Sequence, residues 1–216
     1  MKMASNKKTW FARPPKFKNR MIVMILGVIT QALGLSLLLQ IDLGTDPCTC
    51  LTLGVIIFLP VTFGTAQLLC HLVTFTFVLI FDRSKIGFGT IGNMVCLGYI
   101  SDFFTWIWGK VIPEGFFRQG YMDWICLLPA LFIFICGASA YMTADLGMSP
   151  YDGLPFIISS HMPKVPFKLV RILWDSAFMV AGFLLGGVVG IVTVLTAFFL
   201  GPVIAWFQKK LAVFIS

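Results

Sequence analysis

Asp42-Leu43-Gly44-Thr45-Asp46-Pro47 and Asp145-Leu146-Gly147-Met148-Ser149-Pro150 set a carboxylate, a glycine and a capped proline at one spacing, twice, 103 residues apart. In an apolar chain this pattern breaks a helix. Gly44 and Gly147 supply the left-handed turn that ends one helix, and Asp46-Pro47 or Ser149-Pro150 reads as an N-cap followed by proline at the first position of the next. A helix broken inside a membrane exposes carbonyls that favour cations at its old end and N–H groups that favour anions at its new start. Asp42 and Asp145 stand where they can coordinate a cation, pair with a Lys or Arg, or close their own turn.

Two polar stripes accompany the turns. Thr90 and Asn93, with Ser101 and Asp102 further on, answer to Thr193 and Thr196. Residues three apart share a helical face, and polar groups facing lipid are costly, so these faces look inward to another helix or to a polar path. They are substrate-path candidates, or plain interhelical hydrogen-bonding groups. His71 and Asp175 are intramembrane ionisable groups whose chemistry would be proton coupling. Arg171 lies one turn before Asp175, where a simple ion pair is the plain reading. Cys48 and Cys50 have Tyr151 and Gly153 as counterparts, which suits small-residue packing and not a metal pair. There is no His-Glu-x-x-His, no paired catalytic aspartates and no Ser–His pairing, so no catalytic residues, metal or cofactor are expected.

The elements that must hold these groups follow from composition. The chain is 58% hydrophobic and 12% charged, too little polar surface to cover a soluble domain. Several apolar runs approach the ~20 residues needed to cross hydrocarbon. The expectation is an all-α polytopic membrane protein. Six crossings are read at about 21–41, 65–81, 88–108, 123–144, 167–185 and 191–207. A short helix follows the first crossing of each half, at about 48–59 and 151–162. At 12 residues it extends ~18 Å and lies along the interface or re-enters.

The 103-residue shift also aligns Gly34 with Gly137, Ser36 with Ser139, Pro60 with Pro163, Gly87 with Gly190 and Gly98 with Gly201. These are turn and packing positions, which common hydrophobicity alone would not match. Three crossings per copy forces opposite insertion of the two copies. Loop charge agrees: Lys164, Lys168 and Arg171 have no basic counterparts in the first copy, while Arg83 and Lys85 have none in the second. The architecture expected is a 3+3 inverted-topology repeat. It comprises a basic cytoplasmic arm over 1–20, a first repeat over 21–108, an extracytoplasmic loop over 109–120, a second repeat over 121–207 and a cytoplasmic tail over 208–216. The net charge of +7 then reports topology and not nucleic-acid binding. Because a full-length helix precedes each turn, the turns are expected near the membrane surfaces, as gates or lids.

Leu43-Gly44-x-x-Pro47, followed by Gly89-Thr90, Asn93, Gly98 and Asp102, resembles the YczE/YyaS/YitT family of bacterial membrane proteins. Leu146-Gly147-x-x-Pro150-Tyr151-Asp152-Gly153-Leu154 looks like that family's second half, and the likeness extends from Met21 to Phe207. The chain departs from it at Cys48-Thr49, where the family often has an aromatic and then a polar residue. The resemblance implies a multi-pass protein of the bacterial inner membrane and names no substrate. The function expected is a small-solute transporter or permeation protein with both termini cytoplasmic. The alternatives are an accessory or substrate-binding subunit of a larger transporter and, least favoured, an intramembrane enzyme. The partners implied are the lipid bilayer and a small solute, with no nucleic acid and with room for a homo-oligomer.

Overall fold

A computed structural model describes residues 11, 13–113, 115–118 and 120–215, and among them the regular structure is entirely helical. The helices are α1 (Phe17–Ile41), α2 (Pro47–Phe58), α3 (Phe63–Phe81), α4 (88–111), α5 (Tyr121–Thr143), α6 (Pro150–His161), α7 (Phe167–Leu184) and α8 (Ile191–Ile215). α4 opens as a single turn, passes through a π-helical turn at Gly92–Cys96 and continues as Leu97–Val111. Among the described residues four helices are long and apolar enough to cross a membrane: α1, α3, α5 and the Ile191–Leu211 part of α8. α7 is 18 residues long but carries Lys168, Arg171 and Asp175, and the π turn interrupts α4. This is the composition of a membrane protein.

Two boundaries differ from expectation. α1 begins at Phe17, inside the stretch read as a basic arm, because its apolar face starts with Phe17 and Met21 packed on the core. α8 runs on to Ile215 through the residues read as a tail, since nothing between Phe207 and Ile215 breaks a helix. Residues 1–10 of the arm lie outside the described residues.

The centre is a crossing of α1 and α5 at backbone distance. A Cβ on Gly34 would fall 2.7 Å from Phe134 Cα, and one on Gly137 would fall 2.6 Å from Gln31 Cα. Gly27 meets Tyr141 where Gly34 meets Phe134, so the two helices run antiparallel. Small residues permit this approach where lipid offers no hydrophobic drive to association. α4 runs alongside α1 in the same direction: Ser101 Oγ donates to Ala32 O (3.3 Å) and Trp108 Nε1 donates to Ser36 Oγ (3.0 Å).

Each short helix packs against a long helix of the other copy, α2 on α7 and α6 on α3. The turns before them dock in the same crossed manner. Val192 N donates to Leu43 O (3.2 Å) and Gly89 N donates to Leu146 O (2.8 Å), two bonds related by the 103-residue shift. Asp42 and Asp145 both adopt left-handed backbone, and so do Gly44 (φ 92°) and Gly147 (φ 109°). The glycines are required twice over. A Cβ on Gly44 would lie 2.6 Å from Gly190 N, and one on Gly147 would lie 2.6 Å from Gly87 N.

Gly137→Ala should push α1 and α5 apart and cost about 1–3 kcal/mol, read as a lowered melting temperature of the purified protein. Gly109→Ala, where a Cβ meets nothing within 4 Å, should melt with the parent. Equal melting of both variants would mean that the α1–α5 crossing is looser than described.

Candidate functional site

The cap sequences decide where the short helices begin. Asp46 Oδ1 accepts from the backbone N–H groups of Cys48 (3.1 Å) and Thr49 (3.2 Å), and Thr49 Oγ1 donates to Asp46 Oδ2 at 2.6 Å. At α6 the hydroxyl and the carboxylate trade places. Ser149 is the cap, its Oγ accepts from Asp152 N (3.1 Å) and it donates to Asp152 Oδ2 (2.7 Å). Each N-terminus therefore carries one carboxylate and one hydroxyl that satisfy first-turn donors.

Both N-termini open on the same small cavity of about 40 Å³. At roughly 10–15 Å³ each, it holds about three water-sized groups. Asp46, Pro47 and Cys48 of α2 face it together with Ser149, Tyr151 and Asp152 of the α6 end. Gln31 of α1, Gln67 and His71 of α3, and Asn93 of the π turn complete its polar wall, and Phe134, Leu200 and Ile204 its apolar one. The π turn matters locally because an extra residue in a helical turn re-aims side chains. Asn93 sits in it, and its Nδ2 donates to Gln31 Oε1 at 3.2 Å. Gln67 and His71 are one turn apart, both 3% exposed. Gln67 Oε1 and His71 Nδ1 have no hydrogen-bond partner.

Arg171 closes the α7 side. Its Nη1 donates to Asp152 Oδ1 (2.8 Å) and its Nε to Asp175 Oδ2 (2.9 Å). Tyr151 donates its hydroxyl to Asp175 Oδ1, and Tyr141 OH donates to Asp152 Oδ2 at 3.0 Å. The guanidinium also stands 5.3 Å from the centre of the Tyr151 ring. One cation thus ties α6 to α7 through two carboxylates whose other lone pairs are also used, the geometry in which a buried ion pair can be tolerated.

The residues singled out in the sequence separate into three groups. Asn93 and His71 line the cavity, as do the caps Asp46, Pro47, Ser149 and, nearby, Asp175 through Arg171 and Tyr151. Thr90, Thr193, Thr196, Ser101 and Asp102 are buried or partly buried but do not line it. Thr90 Oγ1 accepts from Gly87 N (3.0 Å), and Thr193 Oγ1 accepts from Gly190 N (3.3 Å) and Thr45 N (3.2 Å). Thr196 and Ser101 donate within their own helices, and Asp102 Oδ2 accepts from Gly64 N at 2.9 Å, at the start of α3. Asp42 and Asp145 are exposed. The turns therefore divide: their Asp-Leu-Gly parts dock at the edges, while their caps reach the interior. The caps Asp46 and Ser149 are buried within the protein, because the helices they start have buried first residues. Gln31, Gln67, Tyr151 and Asp152 were not among the candidates; Arg171 was read only as the ion-pair partner of Asp175, and that pair is present. Two glutamines in otherwise apolar helices were the available signal.

Residues 18–209 match the family described as a family of unknown function (DUF6198), and the chain belongs to it. It is similar to an "Uncharacterized protein" of Haemophilus influenzae, 27% identical over 194 residues that cover 88% of this chain and 84% of the relative. It is also similar to "Uncharacterized protein YyaS" of Bacillus subtilis, 27% identical over 176 residues, covering 79% and 83%. The resemblance read from the turn motifs is therefore to a YyaS-like family. No solved structure matches the chain.

Arg171→Met strands the buried carboxylate of Asp175 and the part-buried one of Asp152 and should cost on the order of 3 kcal/mol in a thermal melt. Adding Asp152→Asn and Asp175→Asn should restore most of that loss. A single variant that melts with the parent would show that the triad does not hold α6 to α7.

Proposed function

We propose that this member of the family is a membrane transporter or permeation protein for a small polar solute, bound where α2 and α6 meet. The observation that carries the reading is that the N-termini of two short helices open on one small cavity whose wall includes Gln31, Gln67, His71, Asn93 and Asp152. Polar side chains gathered inside an apolar protein are costly unless polar partners meet them. Half-length helices meeting at a central site are also how transporters present backbone and cap groups to a solute at membrane depth.

The proposal includes a 3+3 inverted repeat with six crossings, the two short helices re-entrant, in the bacterial cytoplasmic membrane with both termini inside. Its support is the antiparallel α1–α5 pair, the crossed docking of the two turns and the loop charges. α2 starts at the cavity and ends at exposed Ile57 and Phe58, and α6 starts there and ends beside exposed Met162, as re-entrant helices would. Alternating access would then rock one copy against the other across the glycine contacts.

Reporter fusions test the topology: fusions ending near Lys85 and Lys164 should report cytoplasm, and one ending near Pro113 the outside. Proteoliposomes holding the purified protein alone should accumulate a solute identified by thermal stabilisation. Uptake that appears only when an ATPase module co-purifies would favour the accessory-subunit reading.

A further inference from the structure

We infer that a groove on the outer face of the helices seats one acyl chain of an anionic phospholipid, with the lipid phosphate held by basic residues at the groove's mouth. The groove, about 380 Å³, lies between α3, α6 and α7. Leu154 and Ile157 are its buried floor, Trp174 is its side wall, and exposed Phe77, Phe81 and Met162 form its rim. The lining is aliphatic and aromatic apart from His161, whose Nδ1 lies 2.9 Å from Ile157 O. From Leu154 to His161 it runs about two helical turns, ~10 Å, against roughly 15 Å of hydrocarbon in one leaflet.

Charge gathers at one end of the groove. α3 and α6 both finish there, with the Phe81 and His161 rings 6.5 Å apart, and α7 starts there. Arg83 follows Phe81 by two residues, Lys164 follows Met162 by two, and Lys168 sits in the first turn of α7; all three are exposed. Asp82 is the acidic neighbour, and its Oδ1 accepts from Ser84 N at 3.0 Å. Basic residues clustered where apolar helices end attract anionic headgroups at a bilayer surface. An apolar groove running away from a basic mouth matches the order in which a phospholipid presents its chain and its phosphate.

The positions matched by the 103-residue shift lack both features. Arg83, Lys164 and Lys168 correspond to Gly186, Val61 and Thr65. Ile157 and Leu79, packed in one cluster between α6 and α3, correspond to Gly54 and Gly182. Those two glycines bring α2 and α7 to backbone distance, for a Cβ on Gly54 would fall 2.9 Å from Gly182 O. Larger side chains thus hold the helices apart only in the pair that also carries the basic mouth. A second copy of the chain fits the groove less well. A two-fold pair closing over it would set the same three cations against one another.

The test is fluorescence quenching of the full chain in phosphatidylcholine vesicles that carry a rising fraction of phosphatidylglycerol brominated along its chains. The Trp174 signal is taken as the difference between the parent and Trp174→Phe. It should be quenched saturably, with a midpoint about tenfold lower in mole fraction than for brominated phosphatidylcholine. Lys164→Gln with Lys168→Gln, at two exposed positions that leave the packing intact, should raise that midpoint to the phosphatidylcholine value. Inorganic phosphate at matched ionic strength should leave the quenching unchanged. Equal midpoints for the two lipids, a midpoint indifferent to the lysine changes, or displacement by inorganic phosphate would overturn the inference. So would a Trp174 shielded from both lipids in a protein that sediments as a dimer. The lipid site is independent of the solute reading, which proteoliposome uptake tests by itself.

Discussion

A helix broken inside an apolar medium strips its backbone N–H and C=O groups of partners, and no water is at hand to replace them. The fold follows from where those groups are satisfied. The carbonyls of Leu43 and Leu146 receive the N–H groups of Val192 and Gly89, so each turn is stitched to the start of a helix in the opposite copy. Thr193 and Thr90 fill the remaining space beside them, and Gly44 and Gly147 let the strands of chain come that close. Without these crossed contacts neither short helix could leave its own three-helix unit and pack on α7 or α3.

The same constraint shapes the interior. The donors at the two helix starts are quenched locally by an Asp–Thr pair at α2 and a Ser–Asp pair at α6. The carboxylate is the cap in one and the third helical residue in the other. Moving it by three positions has a consequence. Asp46, as the cap, spends both oxygens on its own helix, whereas Asp152 keeps Oδ1 for Arg171. Only the second copy has the cation: Arg171 and Asp175 correspond to Leu68 and Leu72. The cavity thus has a neutral wall of Gln31, Gln67, His71 and Asn93 and a charged wall built on Asp152 and Arg171.

Much of this architecture was legible in the sequence because turn residues are specified by backbone geometry. Asp-Leu-Gly-x-x-Pro announced left-handed glycines and capped helix starts, and the structure has the former at Gly44 and Gly147; Asp42 and Asp145 are left-handed as well, which the motif did not show. The site was less legible. Thr90 and Thr193 sit on matched inward stripes, but a threonine that caps a backbone N–H and one that lines a path give the same spacing. Gln31 and Gln67 belong to no stripe, and their counterparts Phe134 and Val170 are apolar, so the repeat hid them. Arg171 and Asp175 read as a pair within one helix. The third member, Asp152, lies on another element, and sequence spacing cannot show that one guanidinium serves both.

The asymmetry of the two walls bears on how such a site could work. In the proposed inverted repeat the two halves would be near-equivalent in packing, and opening toward either side would start from similar glycine contacts. If the walls were equivalent in charge as well, an occupant would have no reason to prefer one docking of α2 or α6 over the other, and a ligand without differential affinity shifts no equilibrium. Placing the charged anchors on α6 and α7 gives an occupant something to change. Under the proposed function, an occupant bound at Asp152 would compete with Arg171 for the same carboxylate and weaken the tie between α6 and α7, whereas the aspartate of α2 is committed to its own cap. One side of the cavity is thereby sensitive to occupancy and the other is not, a bias that two identical halves could not supply.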